Sequence, residues 1–204
     1  MSELIQIGSP NQRPHHPRPE DLKLHFSEEG LKDLAALMSH YPTKKACILP
    51  GLWLAQREYG GFITGDAIAE VAHRLDRSYA EVEGVATFYS LYNVGHKPGL
   101  HKIEVCTCLC CHLNGAWDLR NRLVEKLGIH HGETTPDGMF TLEEVECLNA
   151  CDRAPCIQVG SQYYGPLTEA SLDELIETLR NTKESTVVQY AADVVKVQLR
   201  NGEI

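Results

Sequence analysis

The sequence predicts an α+β protein: a bundle of four helices followed by a smaller domain in which a sheet is flanked by helices. Three observations predict it. Apolar residues recur at helical spacing as far as about residue 93. A turn-rich run, Gly95-His96-Lys97-Pro98-Gly99, then breaks the pattern. Beyond it, short strand-like runs and helical stretches follow one another in the order β-α-β-β-α. The expected divisions are an arm over 1–26, the bundle over 27–95, the second domain over 100–180 and an extension over 181–204.

Residues 1–26 hold Pro10, Pro14, Pro17 and Pro19 among scattered charges and histidines, the composition of an extended arm that can lie along a partner. The first helix starts after Ser27, a good N-cap, with Glu28 and Glu29 facing the positive end of the helix dipole. Its apolar stripe reads Leu31, Leu34, Ala35 and Met38, and Pro42 marks its end. The apolar segment KKACILPGLWLAQREYG is a second helix that Pro50 and Gly51 either start or kink, and Gly60-Gly61 ends it. Thr64 caps a third helix with the inward stripe Ile68, Val71, Ala72 and Leu75. Ser78 and Glu81 form a capping box for a fourth, running through VEGVATFYSLY. Helices this short are marginal alone, so they must pack together.

In the second domain the strand IEVCT leads into the helix NGAWDLRNRLVEKLG, with Trp117, Leu119, Leu123, Val124 and Leu127 at its apolar positions. Trp53 and Trp117 both read as core residues. Thr134 to Gly138 form a turn into the strand MFTLEEVEC, PCIQVGSQYY supplies two more strands, and a helix after Thr168 carries Leu172, Leu175, Ile176 and Leu179. This order fits a thioredoxin-like sheet. In the extension, the alternation of VVKVQL suggests a late strand.

The chain has 204 residues, 43% of them hydrophobic, and no apolar run near the length that spans a bilayer. Its opening residues lack the apolar stretch of a signal peptide. Direct membrane insertion is therefore not expected. A formal charge of −9 argues against nucleic acid as a partner. Eight cysteines in a chain without an export signal point to metal binding rather than a disulfide framework.

Four of those cysteines form two pairs: Cys106 and Cys111, spaced C-x4-C, and Cys147 and Cys151, spaced C-x3-C. Each pair can offer two thiolates from one loop to one metal centre, and thiolates in this number select zinc or an iron–sulfur cluster. A [2Fe-2S] cluster needs two thiolates on each of two irons. Zinc is the competing metal, because Cys108 and Cys111 also make the C-x2-C spacing common in zinc sites. From another class, the same C-x2-C at a helix start reads as a thioredoxin-type dithiol, which would leave Cys147 and Cys151 without a task. A Rieske centre needs a histidine after the second pair, and none follows His131. The surroundings of a cluster must offer free backbone N–H groups, and the runs Cys111–Gly115 and Leu148–Asp152 read as loops that do. Arg153 is either a tuning charge or a surface residue. The chain has no Gly-rich phosphate loop, no G-x-G-x-x-G after a strand and no evident flavin pocket.

From about Gly51 to Leu172 the chain resembles the small iron–sulfur subunit of the NADH-oxidising module of NADH:quinone oxidoreductase. The resemblance lies in GVATFYSLY (84–92), IEVCTCLCCHLNGAWDL (103–119), LGIHHGETTPDGMFTLEEVECLNACDRAPCIQV (127–159) and YYGPLT (163–168). It implies a thioredoxin-like [2Fe-2S] ferredoxin domain after the four-helix bundle, with one cluster held by Cys106, Cys111, Cys147 and Cys151. In the family the ligands stand at the outer ends of the C-x4-C unit, which leaves Cys108, Cys110 and Cys156 as bystanders. Cys156 and Cys47 read as small buried hydrophobes. The resemblance further implies an electron-carrying role, with no catalytic residue in this chain. Its partner is a flavin subunit, paired as a heterodimer within a larger respiratory complex, and FMN and NADH are bound in that partner only. The expected location is cytoplasmic, peripheral to the inner face of the membrane through the complex. Equivalent subunits of soluble NAD-linked hydrogenases and formate dehydrogenases share the pattern and form the alternative host.

Overall fold

The computed structural model describes residue 17 and residues 21–200. Most of the proline-rich arm therefore lies outside the described residues. The chain divides into two compact units, one formed by the described residues up to 97 together with 194–200, the other by Pro98–Asp193.

In the first unit, α1 (Glu28–Ser39) begins where the Ser27 hydroxyl accepts the Gly30 N–H at 3.0 Å. Its inward face differs from the expected stripe. Leu34 and Leu37 are buried, whereas Leu31, Ala35 and Met38 line a shallow groove with His73 and Arg74. A Thr43-capped 3-10 turn leads into α2 (Ile48–Glu58), and Pro50 sits in its first turn, where a missing N–H costs nothing. Helix α2 is the hub. Ile48, Leu52, Trp53 and Leu54 are buried, and it packs against α1, α3 (Gly65–Leu75) and α4 (Tyr79–Phe88). The Thr64 cap and the buried stripe of α3 stand as expected. Only half of the capping box of α4 forms: the Ser78 hydroxyl accepts the Glu81 N–H, but the Glu81 carboxylate turns to Arg77 and Lys45 instead. Helix α4 also stops at Phe88, short of Tyr92. Tyr89 is extended, and Tyr92 packs against Trp53 while its hydroxyl donates to the Leu49 carbonyl at 2.8 Å.

Glu70 of α3 is fully buried and serves four residues at once. Its carboxylate accepts the N–H groups of His25 and Phe26 at 2.7 and 3.0 Å, the Tyr59 hydroxyl at 2.8 Å and the Arg74 guanidinium at 2.6 Å. This contact ties the last residues before α1 to the bundle.

In the second unit, β1 (His101–Cys106) pairs in parallel with β2 (Phe140–Val145) and antiparallel with β3 (Ile157–Val159), which pairs antiparallel with β4 (Gln162–Tyr164). The sheet order is β2-β1-β3-β4. A parallel pair needs a long crossover, and α5 (Leu109–Leu113) and α6 (Ala116–Leu127) supply it. One core joins Ile103, Val105, Phe140, Leu142, Ile157 and Val159 to Leu119 and Leu123 of α6, and to Leu172 and Ile176 of α7 (Glu169–Arg180). Trp117 departs from expectation. It is 41% exposed, with its ring against His112 and under the Arg120 guanidinium.

The late strand is corrected to a helix, α8 (Thr186–Arg200). Val187, Ala191 and Val195 recur at i, i+4 and i+8 and are all buried, a longer stripe than the local alternation of VVKVQL. The Ser185 hydroxyl accepts the Val188 N–H at 3.3 Å at its start. Tyr190 hydrogen-bonds Gln158, so the part of α8 up to Asp193 lies over the sheet face from which Glu104 and Gln158 project.

Candidate metal centre

The sheet pairing gathers the cysteines. Because β1 and β2 run parallel, in the register Cys106↔Val145, the loops after both strands leave from the same end of the sheet, the edge formed by the C-terminal ends of β1 and β2. The first stretch, from the last residue of β1 into α5, carries Cys106, Cys108, Cys110 and Cys111, and the second carries Cys147 and Cys151. Strand β3 runs the other way, so its beginning, Cys156, comes to this edge too. The Cys106 N–H donates to the Cys156 carbonyl at 3.3 Å, and the Thr107 N–H to that of Val145 at 2.9 Å. At the end of β4, Gly165 closes in on the same place: a Cβ there would lie 2.9 Å from the Cβ of Cys156.

The four predicted residues fall into an inner and an outer pair. Cys106 and Cys111 are buried; Cys147 and Cys151 are exposed. Burial pushes the Cys106 thiol up, but N–H groups of Leu148 and Cys108 together with the neighbouring Cys111 and Cys156 thiols outweigh it, so its pKa lies below the ordinary thiol value. Cys111 is pushed up to about 12, first by burial and then by Cys106. Cys147 accepts the Asn149 N–H at 3.3 Å, with Asn149 at φ +55°. Cys151 is raised above the usual thiol value chiefly by Cys110, which stands beside it. Such N–H donation to sulfur is what an anionic cluster with its thiolates requires. Leu148 and Asn149 lie in the expected run Leu148–Asp152, whereas Cys108 lies before the other expected run, Cys111–Gly115, which begins inside the short helix α5 rather than in a loop and supplies none of these donors.

The three sulfurs that lie within 4.8 Å of one another are those of Cys106, Cys111 and Cys156. From the sequence, Cys156 is expected to be a small buried hydrophobe. It is buried, and its Sγ also stands 3.8 Å from that of Cys111. The only signal for this in the sequence is its place just before a strand. Cys47 lies apart, buried in the first unit, its thiol donating to the Thr43 carbonyl at 3.5 Å. Arg153 is a surface residue, ion-paired with exposed Asp152 at 3.5 Å. Among the described residues no helix is long and apolar enough to cross a membrane.

Comparison with known proteins identifies the family. Residues 34–180 match the model of the thioredoxin-like [2Fe-2S] ferredoxin family. The chain is 42% identical over 158 residues to the E subunit of NADH-quinone oxidoreductase from Rickettsia typhi, covering 76% of this chain and 92% of that one. It is 40% identical over 161 residues to an E subunit of the same enzyme from Rhizobium meliloti, covering 79% and 95%. Among solved structures, an NAD+-reducing [NiFe]-hydrogenase in the air-oxidised state superposes with a TM-score of 0.57 at 24% identity. That likeness covers 64% of this chain and 23% of the hydrogenase chain, and it speaks for the fold alone. The chain belongs to the thioredoxin-like [2Fe-2S] ferredoxin family, among the E subunits of NADH-quinone oxidoreductase.

Proposed function

We propose that Cys106, Cys111, Cys147 and Cys151 hold one [2Fe-2S] cluster, and that the chain carries electrons in the NADH-oxidising module of NADH-quinone oxidoreductase. The observation that carries this reading is the parallel β1–β2 pair, which delivers both cysteine pairs to one sheet edge in a chain aligned over most of its length with relatives from that enzyme. Bound there, a [2Fe-2S] cluster accepts and passes on one electron at a time. Cys106 and Cys111 anchor it from inside, and the N–H groups of Leu148, Cys108 and Asn149 offset its negative charge. Cys147 and Cys151 leave one side at the surface, where a redox partner can approach.

The partner in this reading is a subunit that binds FMN and NADH, because this chain has no sequence suited to either. Leu109 and Leu113 of α5 are 70% and 75% exposed, and with Trp117 they form an apolar surface beside the thiols that a partner would cover. Attachment to the inner face of the membrane then runs through the complex. The relatives at about 40% identity favour the respiratory host over a soluble hydrogenase or formate dehydrogenase.

The test is anaerobic purification from iron-replete cells. About two irons and two acid-labile sulfides per chain are expected, with an S = 1/2 electron paramagnetic resonance signal on reduction. Co-expressed with the FMN- and NADH-binding subunit, the chain should form a stable heterodimer with NADH:ferricyanide activity. Stoichiometric zinc without labile sulfide would sink the cluster assignment, and tight NADH binding by this chain alone would sink the division of labour.

A further inference from the structure

We propose that Cys156 is a reserve thiolate donor for the cluster, able to replace Cys111. This rests on the assignment of Cys106, Cys111, Cys147 and Cys151 as the ligands in use. The position of Cys156 does not depend on its own sulfur. Its carbonyl accepts the Cys106 N–H at 3.3 Å, the Pro155 carbonyl accepts the Leu167 N–H at 3.1 Å, and the chain at Gly165 packs so close that a Cβ there would lie 2.9 Å from the Cβ of Cys156. From that fixed backbone the thiol reaches the inner pair rather than the outer one. Its Sγ lies 3.8 Å from that of Cys111 and within 4.8 Å of that of Cys106. Two thiolates on one tetrahedral metal, with bonds of about 2.3 Å, stand roughly 3.8 Å apart. With Cys111 gone, the pair that must share an iron is Cys106 and Cys156, whose sulfurs lie within 4.8 Å of each other, and Cys156 already stands in contact with the Cys111 sulfur it would replace. Cys108 and Cys110 lie outside the three-sulfur group, and Cys110 stands by the exposed Cys151. A buried filler at 156 could equally be an alanine or a valine; a thiol there completes a set of donors.

The replacement is a ligand substitution. With no sulfur at position 111, the Cys156 thiol releases its proton to solvent and its sulfur forms the iron–sulfur bond that Cys111 makes otherwise. Four thiolates remain, the charge is unchanged and no electron is gained or lost.

The test reads iron, labile sulfide and electron paramagnetic resonance of four anaerobically purified proteins: wild type, Cys111→Ala, Cys156→Ala and the double variant. Cys111→Ala should keep about two irons and two sulfides with shifted g-values. Cys156→Ala should match the wild type, because the reserve is idle while Cys111 is present. The double variant should lose cluster content at least tenfold. An empty Cys111→Ala beside a loaded wild type and Cys156→Ala would overturn the proposal and leave the ligand assignment standing. A loaded double variant would also overturn it, since another donor would then be at work. A wild type without cluster would overturn the assignment beneath it. Should Cys111→Ala fail to accumulate, the nearly isosteric Cys111→Ser takes its place. Its spectrum should change when Cys156→Ala is added, and identical spectra would refute the reserve role.

Discussion

Gly165 ends β4 at the edge where the thiols gather, and Gly165→Ala tests whether close backbone approach holds that edge together. An alanine Cβ would stand 2.9 Å from the Cβ of Cys156, 3.0 Å from the Pro155 carbonyl oxygen and closer still to the carbonyl of Arg153. Two of these obstacles are backbone atoms, which cannot swing aside as a long side chain can. Overpacking costs about 1–3 kcal/mol, and backbone obstruction places this case in the upper half, at about 2–3 kcal/mol. The strained segment joins Cys151 to Cys156, so the cost falls on the state that grips the cluster. If release to a chelator proceeds through local opening of this segment, the open population rises roughly 30- to 160-fold. The assay is anaerobic bleaching of the visible absorbance in excess chelator. Gly84→Ala in α4 is the control, because nothing lies within 4 Å of a Cβ there, and its rate should match the wild type. A Gly165→Ala release rate within threefold of wild type would refute the reasoning.

Serine at Cys106, Cys147 or Cys151 should abolish or grossly alter the visible and paramagnetic spectra, and serine at Cys111 should alter them with the cluster retained, whereas serine at Cys108, Cys110 or Cys156 should at most shift the potential. Loss of the cluster in Cys108→Ser with retention in Cys106→Ser would show that Cys108 is the first ligand. Glu70→Ala strands two backbone N–H groups, the Tyr59 hydroxyl and Arg74, and should destabilise the first unit by about 3–5 kcal/mol. Urea unfolding followed by Trp53 fluorescence in a Trp117→Phe background measures it, and a loss under about 1 kcal/mol would contradict the staple. Burial holds the His101 pKa below its usual 6.5, against the pull of the Thr182 and Leu179 carbonyls. The unfolded chain therefore takes up the proton first. Stability of the second unit is full above 6.5 and declines as pH falls from there through the lowered value. Urea midpoints at about pH 7.5 and 5.5 should show this decline, and His101→Gln should flatten it.

Local chemistry made much of the molecule legible. Ser27, Thr64 and Thr168 each accept an N–H at a helix start, because a hydroxyl at that position answers an orphan donor whatever the tertiary context. The stripe of α3 and the strands around Ile103 and Leu142 followed from periodicity alone. Legibility ended where a local pattern met a competing partner. Glu81 found Arg77 and Lys45 instead of its own helix terminus. VVKVQL alternates over a few residues, yet the sheet face beneath Tyr190 needed a cover and the longer stripe through Ala191 could supply one as a helix. Trp117 sits at a helical apolar position but faces outward beside the thiols.

What the sequence by itself determined is the chemistry on offer: two spaced thiol pairs that select zinc or an iron–sulfur cluster, and the absence of any flavin or nucleotide motif. What only the tertiary structure decided is which thiols meet and how deeply. Spacing along the chain places Cys156 five residues beyond Cys151 and says nothing of Cys111. Strand direction does. The antiparallel β1–β3 pair brings the start of β3 back to the end of β1, and the parallel β1–β2 pair puts the second loop beside the first. Direction and register depend on long-range backbone hydrogen bonds and on a core that must fill, and neither is written in any single segment.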